Sequence, residues 1–359
     1  MGTSKPAPDQ GNRHAVLGQV FTTRDFRLES SRVLPELRIA YETYGTPARD
    51  RDNAVLLTHG YTSNHHMIGR SGSTLAEGLW NSLVGPGKAI DTDRLFVVSS
   101  NMLGSSYGST GPAHLDPSTR RPYGPDFPDI SLVDIVTAQR ALLKHLGVDH
   151  LVAVIGPSYG GFQAFQWAVT FPDFMDGIVP VTTDVKAMDD SMAGLNALIA
   201  QLETDPNWHG GHYYEHGGVP DTMTQIRIRT LINYGIHEHL AADFPDPPAR
   251  QAEIERIARK WALEFDANSL IVLGRASALF TVEKDLSRIR ARVLYVLSRT
   301  DKIFPPSLGP GVMAKLREAG VRAEYFEIDS ELGHAASGLA GAKWAPKLAE
   351  FLARPSGQR

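Results

Sequence analysis

Leu151-Val-Ala-Val-Ile-Gly-Pro-Ser-Tyr-Gly-Gly161 runs five apolar residues into a serine flanked by small ones. Leu151 to Ile155 read as a strand buried on both faces. Gly156-Pro-Ser-Tyr-Gly160 matches G-x-S-x-G, and Gly161-Phe-Gln-Ala-Phe-Gln-Trp-Ala168 reads as the start of a helix. A sharp strand-to-helix turn brings the backbone on either side of the serine close together, so both flanks must be small. That turn lifts the Ser158 hydroxyl out of the sheet, above a helix N-terminus that stabilises negative charge.

Other strands frame this one. Alternating apolar residues between Gly18 and Gly45 predict antiparallel strands at the sheet's opening edge. Asn53–Thr58 and Leu95–Ser99 predict buried strands, the first ending in His59-Gly60-Tyr61-Thr62-Ser63. Ser131 and Asp134 form a capping-box pattern before a helical period that ends at Gly147. Ile178–Thr182 is a further strand, which Pro180 argues against placing centrally. Val185 to Glu283 has no buried-strand pattern; helices over Ser191–Glu203, Thr222–Leu240, Pro248–Phe265 and Ser269–Phe280 are expected instead. Strands over Ala291–Leu297 and Ala323–Ile328 alternate with helices over Val312–Ala319 and Trp344–Leu352. The expected fold is α/β, a mostly parallel sheet flanked by helices. Its core comprises residues 1–184 and 284–359, with a helical lid over 185–283.

The 359 residues carry a net charge of -4, so nothing electrostatic calls for nucleic acid or an anionic membrane as partner. With no cysteine, disulfides, thiolate metal sites and cysteine nucleophiles are excluded. No apolar run is long enough to span a bilayer. The polar stretch from Met1 to Gly11 lacks a signal peptide's apolar segment and reads as a disordered lead-in, which makes the cytoplasm the default location.

An acyl-transfer serine needs a base, a group to orient that base, and donors for an oxyanion. In α/β folds of this type the chain order is Ser, acid, His. His334 follows the Ala323–Ile328 strand, and Asp301 follows the strand ending at Leu297. Asp329 competes with Asp301, which is preferred on order and loop length. The backbone N–H groups of Tyr61 and Tyr159 are the expected oxyanion donors. The stretch Gly104-Ser-Ser-Tyr-Gly-Ser-Thr-Gly111 lacks the lysine and helix of a phosphate loop. His65-His66, His237-Glu-His239 and the 209–216 histidines lack i, i+4 spacing with a partnering carboxylate, so neither metal nor cofactor is expected.

Ala40-Tyr-Glu-Thr-Tyr-Gly45, Gly85-Pro-Gly-Lys-Ala-Ile-Asp-Thr-Asp93, Asn101-Met-Leu-Gly104, Gly108-Ser-Thr-Gly-Pro112, Pro122-Tyr-Gly124, Phe265-Asp-Ala-Asn-Ser269 and Asp301-Lys-Ile-Phe-Pro305 together resemble the homoserine O-acetyltransferase family of α/β hydrolases. The resemblance runs from about Ala40 to the end. It implies Ser158, Asp301 and His334 as a triad, a helical lid, and a homodimer joined through that lid. It also implies Arg227 and Tyr234 as groups that bind the acceptor's carboxylate. The chain departs from the family at Gly-Pro-Ser158-Tyr-Gly-Gly, where the family has G-[GA]-S-M-G-G, and at His59-Gly-Tyr-Thr-Ser63, where it has H-A-L-T-G. It departs again at Gly-His334-Ala-Ala-Ser-Gly, where the family has G-H-D-A-F-L. Losing an acid beside the histidine removes a partner for an ammonium group, so the leading expectation is a serine esterase acting on small acetate or short-chain esters. The alternatives are a homoserine O-acetyltransferase using acetyl-CoA and a catalytically silent binding scaffold. Epoxide hydrolase and dehalogenase chemistry would need an aspartate where Ser158 stands.

Overall fold

The computed structural model describes residues 16–68 and 78–353; the polar N-terminal stretch lies outside them. The chain forms β1 (Val16–Arg27), β2 (Val33–Tyr44), β3 (Ala54–Thr58), a small pair β4 (Val84–Gly85) and β5 (Ile90–Asp91), and β6 (Phe96–Ser100). Next come α1 (Leu132–His145), β7 (Leu151–Pro157), α2 (Tyr159–Thr170) and β8 (Met175–Val181). Five helices follow before the sheet resumes: α3 (Ser191–Glu203), α4 (Pro220–Asn233), α5 (Ile236–Leu240), α6 (Pro247–Ala262) and α7 (Ala267–Ala278). The chain closes with β9 (Arg292–Ser298), α8 (Gly309–Glu318), β10 (Ala323–Ile328), α9 (Ala336–Leu339) and α10 (Gly341–Ala353).

Eight strands form one sheet in the order β1-β2-β6-β3-β7-β8-β9-β10. Pairing is antiparallel from β1 through β2 to β6 and parallel from there on. The central strands feed two cores by alternation: Leu56, Val154, Val293 and Tyr295 face one side, and Val55, Leu57, Ile155, Leu294 and Val296 the other. Helices α1, α2, α7 and α8 cover the first face; α10 covers the second through Trp344, Leu348 and Phe351. The Ser131–Asp134 capping box starts α1 as expected.

Pro180 corrects one expectation: β8 lies centrally, between β7 and β9. The β8–β9 ladder pairs at Gly177, Ile178 and Val181 and skips Val179 and Pro180, so the missing N–H falls in a gap. The Thr182 amide then donates to Val296 O at 2.7 Å.

The helical insertion enters and leaves through one neck, where Lys186 and Thr281 form an antiparallel bridge. It has its own small core of Leu231, Ile236, Leu240, Ile254 and Ile257. The helix expected over Thr222–Leu240 is two helices, broken at Gly235, whose φ of +91° is left-handed. No helix among the described residues is long and apolar enough to cross a membrane.

The tightest packing lies where β3 passes the turn between β7 and α2. A Cβ added at Gly156 would stand 2.1 Å from Thr58 Oγ1, and one at Gly160 would stand 2.4 Å from the Thr58 carbonyl oxygen. Gly156→Ala or Gly160→Ala is therefore expected to lose about 3 kcal/mol or more of unfolding free energy in urea titrations. Gly194→Ala in α3, where an added Cβ meets nothing within 4 Å, should gain about 0.5–1 kcal/mol.

Candidate active site

Ser158 sits at the turn from β7 into α2 with φ +55° and ψ −120°, a conformation that costs a non-glycine residue about 1–3 kcal/mol. Its amide donates to Val181 O at 2.8 Å. Its carbonyl accepts from Thr183 Oγ1 at 2.9 Å and from the Gly161 and Phe162 amides at 2.8 and 3.2 Å. These bonds fix the serine on both sides of the turn.

His334 lies in the turn after β10 and is buried. Its Nδ1 is 2.8 Å from Asp301 Oδ2, which leaves Nε2 for the cavity that Ser158 also lines. The other Asp301 oxygen accepts the Ile303 and Phe304 amides at 2.8 and 3.1 Å, so this buried carboxylate is satisfied on both oxygens. Aromatic rings of Tyr234 and Phe304 flank the imidazole, with centroids 4.8 and 5.9 Å away. Asp329 instead pairs with Arg299 at 2.7 Å with its side chain 83% exposed, so geometry separates the two competing acids.

The loop after β3 crosses in front of the serine: a Cβ on Gly60 would stand 3.8 Å from Ser158 Cβ. Tyr61 follows in that loop. Tyr159 is the first residue of α2, whose leading amides have no partner within the helix. Two buried side chains hold this arrangement: Gln163, not singled out in the sequence, and His59, placed in the loop from the sequence but with no contact assigned to it. Gln163 donates to His59 O at 3.1 Å and accepts from Gln139 at 2.6 Å. His59 lies between Gly60 O (Nδ1, 2.9 Å) and Asn101 Oδ1 (Nε2, 2.8 Å). Gln163 is a polar residue amid the apolar positions that open α2, and that is the signal the sequence offers for it; His59, among Thr58, Gly60 and Thr62, offers none beyond its place after β3.

Ser158, Tyr61, Tyr234 and His334 are shared by two cavities. One, of about 60 Å³, is walled by Thr62, Leu231, Ile236, His239, Ala335 and Leu339. The other, of about 330 Å³, runs between α3 and α7 and reaches the surface at exposed Met188 and Asp190. No lysine or arginine among the described residues lines either one, and Asp190 is their one carboxylate. Tyr234 thus reaches the site, at the break before Gly235. Arg227 sits one layer behind, fully buried, donating from Nη1 to Thr62 Oγ1 at 2.7 Å with its guanidinium 4.9 Å from the Trp261 ring centroid. Desolvation pulls its pKa down to about 10, which leaves it cationic at neutral pH.

Away from the site, the structure supplies the carboxylate that the sequence reading did not find beside His65-His66. Glu42 of β2 is 2.7 Å from His66 Nδ1 and accepts from Tyr44 Oη at 2.6 Å. Potential ligand atoms of Glu42, His65 and His66 lie within 4.8 Å of one another. The 2.7 Å contact is a hydrogen bond, shorter than the roughly 3.3 Å between two ligands of a tetrahedral zinc ion. The Glu42–His66 and Glu42–Tyr44 contacts are those of a buried hydrogen-bond network.

Residues 53–338 match the alpha/beta hydrolase fold family. The chain is 37% identical to a homoserine O-acetyltransferase of Haemophilus influenzae over 88% of its own length and 92% of the relative's. It is 36% identical to a homoserine O-succinyltransferase of Methylibium petroleiphilum over 91% of each chain. Among solved structures, a homoserine O-acetyltransferase from Bacillus anthracis superposes with TM-score 0.86 at 27% identity, covering 96% of this chain and 99% of that one. Esterase E22 superposes equally well, with TM-score 0.86 at 27% identity over 94% and 100%. The chain is an enzyme of the α/β-hydrolase superfamily. Within it, the chain belongs to the homoserine O-acetyltransferase family. The ester-hydrolase expectation is thereby corrected. Its basis was three local departures from the family pattern, and these are outweighed by transferase relatives matching along nearly the whole chain.

Burial lowers the His59 pKa from its ordinary 6.5 to about 4, outweighing the two carbonyl oxygens that favour the protonated ring. The ring is neutral in the fold, and the stability it contributes is complete above pH 6.5. As pH falls from 6.5 to 4 the unfolded chain takes up a proton that the native chain refuses, which removes about 3 kcal/mol. An NMR titration of the imidazole should therefore show His59 unprotonated until the native signal itself collapses or the pH nears 4.

Proposed function

We propose that this protein is a homoserine O-acetyltransferase. Ser158 attacks the thioester carbonyl of acetyl-CoA while His334 takes the hydroxyl proton, and Asp301 holds the imidazole in the required tautomer. The Tyr61 and Tyr159 amides receive the developing oxyanion. The C–S bond then breaks, the CoA thiolate leaves with the proton from His334, and an acetyl-serine remains. The homoserine hydroxyl attacks that ester as His334 takes its proton; the proton returns to Ser158, and O-acetylhomoserine departs.

The observation that carries this reading is the pair of cavities meeting at Ser158 and His334. The larger one opens to the surface and suits a long thioester arm; the smaller suits a short alcohol held in line for attack. The relatives include both acetyl- and succinyltransferases, and the lining supports acetyl: a succinyl carboxylate would lose water with no cation among the described lining residues to meet it. Tyr234 and, through Thr62, Arg227 supply the hydrogen-bonding and positive end for the acceptor's carboxylate. The smaller cavity has no carboxylate for the ammonium among its described residues. His239 lines it, with its pKa lowered by burial, and a neutral imidazole there accepts a hydrogen bond from the ammonium.

Incubation with acetyl-CoA and homoserine should yield O-acetylhomoserine, and Ser158→Ala should abolish it; free acetate with no ester product would refute the proposal. Succinyl-CoA should be used at least about 100-fold less efficiently in kcat/KM, the size of an unpaired charge. His239→Leu should raise KM for homoserine about 10-fold and leave KM for 4-hydroxybutyrate, which has no ammonium, unchanged.

A further inference from the structure

We propose that the phenol groups of Tyr61 and Tyr159 are positioning devices that clamp the lid helix α7 onto the two peptides supplying the oxyanion donors. The inference rests on the acyl-transfer reading for its chemistry and on separate contacts for its geometry. Tyr61 comes from the loop after β3 and Tyr159 from the start of α2, yet their rings stack with centroids 5.9 Å apart and planes 9° from parallel. Tyr61 Oη donates to Leu270 O, and Tyr159 Oη donates to Leu273 O at 3.3 Å. Those carbonyls lie three residues apart on one face of α7. Burial raises both phenol pKa values, so both remain donors at neutral pH.

Gly274 supplies a second, independent observation. It lies inside α7, where glycine is destabilising relative to alanine. A Cβ there would stand 2.9 Å from Tyr61 Oη and 2.8 Å from Leu195 Cδ1. Leu195 Cδ1 is the tip of a flexible side chain and can step aside. Tyr61 Oη cannot do so without leaving Leu270 O. The helix is thus shaped to receive the Tyr61 hydroxyl.

The consequence is mechanical. The loop bearing the Tyr61 N–H has no regular structure of its own, and an oxyanion donor must be held to a fraction of an ångström. Anchoring the same residue's side chain to α7 makes the donor's direction depend on the lid's position. A lid displaced from the core pulls one donor with it, while the Ser158–Asp301–His334 geometry stays in place.

The test is a mutant cycle on the acylation half-reaction, read as the burst of p-nitrophenol from p-nitrophenyl acetate, which needs no acceptor. Tyr61→Phe, which removes only the hydroxyl, should lower the acylation rate constant about tenfold with KM for the ester unchanged, and Tyr159→Phe should act in the same direction. Gly274→Ala should be slower still. The double variant Tyr61→Phe/Gly274→Ala should recover to the level of Tyr61→Phe alone, because the displaced hydroxyl is gone. Wild-type burst rates in both Phe variants would overturn the proposal, as would losses for Tyr61→Phe and Gly274→Ala that simply add, or effects confined to KM or to the melting temperature. A wild-type protein that gives a burst but transfers nothing to homoserine would defeat the acceptor assignment and leave the clamp standing. A wild-type protein with no burst would defeat both.

Discussion

The contact between Thr58 and the glycines flanking Ser158 is the constraint on which the rest of the site depends. Thr58 is the last residue of β3, and its hydroxyl donates to Gly160 O at 2.9 Å while its backbone presses against Gly156 and Gly160. Nothing larger than hydrogen fits between them. Because the chain passes so close, the turn must be sharp, and Ser158 takes a positive φ. The same contact fixes a second distance. The residues after Thr58 are His59, Gly60 and Tyr61, so β3 brings the loop carrying one proposed oxyanion donor directly across from the serine. One steric fact sets the strain at Ser158 and the location of the loop facing it together.

The electrostatics follow a similar economy. Asp301 is buried, and a buried carboxylate is tolerable only when its oxygens are occupied. Two amides of its own loop take one oxygen and His334 takes the other. The loop therefore pins the acid, and the acid pins the ring. Asp329 follows its strand just as closely but points outward to Arg299, where water screens the pair. Order and loop length already favour Asp301 in the sequence; desolvation gives the physical difference between the two.

Much of this was legible in the sequence because the information was local. The buried strands, the Gly156–Gly160 turn, the capping box at Ser131 and the order of serine, acid and histidine each depend on residues near one another in the chain. What escaped reading depended on partners far apart. Glu42 and His66 meet because the loop after β3 reaches over β6, where Ser99 donates to His65 O, to its neighbour β2, and Gln163 reaches His59 across more than a hundred residues. Pro180 weakens the case for a central strand only under a rule that assumes an unbroken ladder, and the β8–β9 ladder is broken there. Gly235 did carry a local signal, and the apolar period through Thr222–Leu240 concealed it. That break matters to the site, since it sets Tyr234 and His239 on the wall of the smaller cavity.

The comparison with esterase E22 and the Bacillus anthracis transferase bears on where acceptor choice resides. Both superpose on this chain with TM-score 0.86, so one backbone is shared by a protein named an esterase and one named a transferase. What differs between water and an alcohol as the attacking group is occupancy of the space beside the acyl-serine. An alcohol held in line gains a large effective concentration, while water competes only if it enters and is oriented. In this chain the smaller cavity beside Ser158 and His334, of about 60 Å³, mixes apolar walls from Leu79, Leu231, Ile236 and Leu339 with polar groups of Thr62, Ser63, Tyr234, His239 and Ser337. The side chains bounding this cavity come from α4, α5, the His334 turn and the loop after β3, so on the transferase reading proposed above the choice between alcohol and water rests with those few groups rather than with the fold.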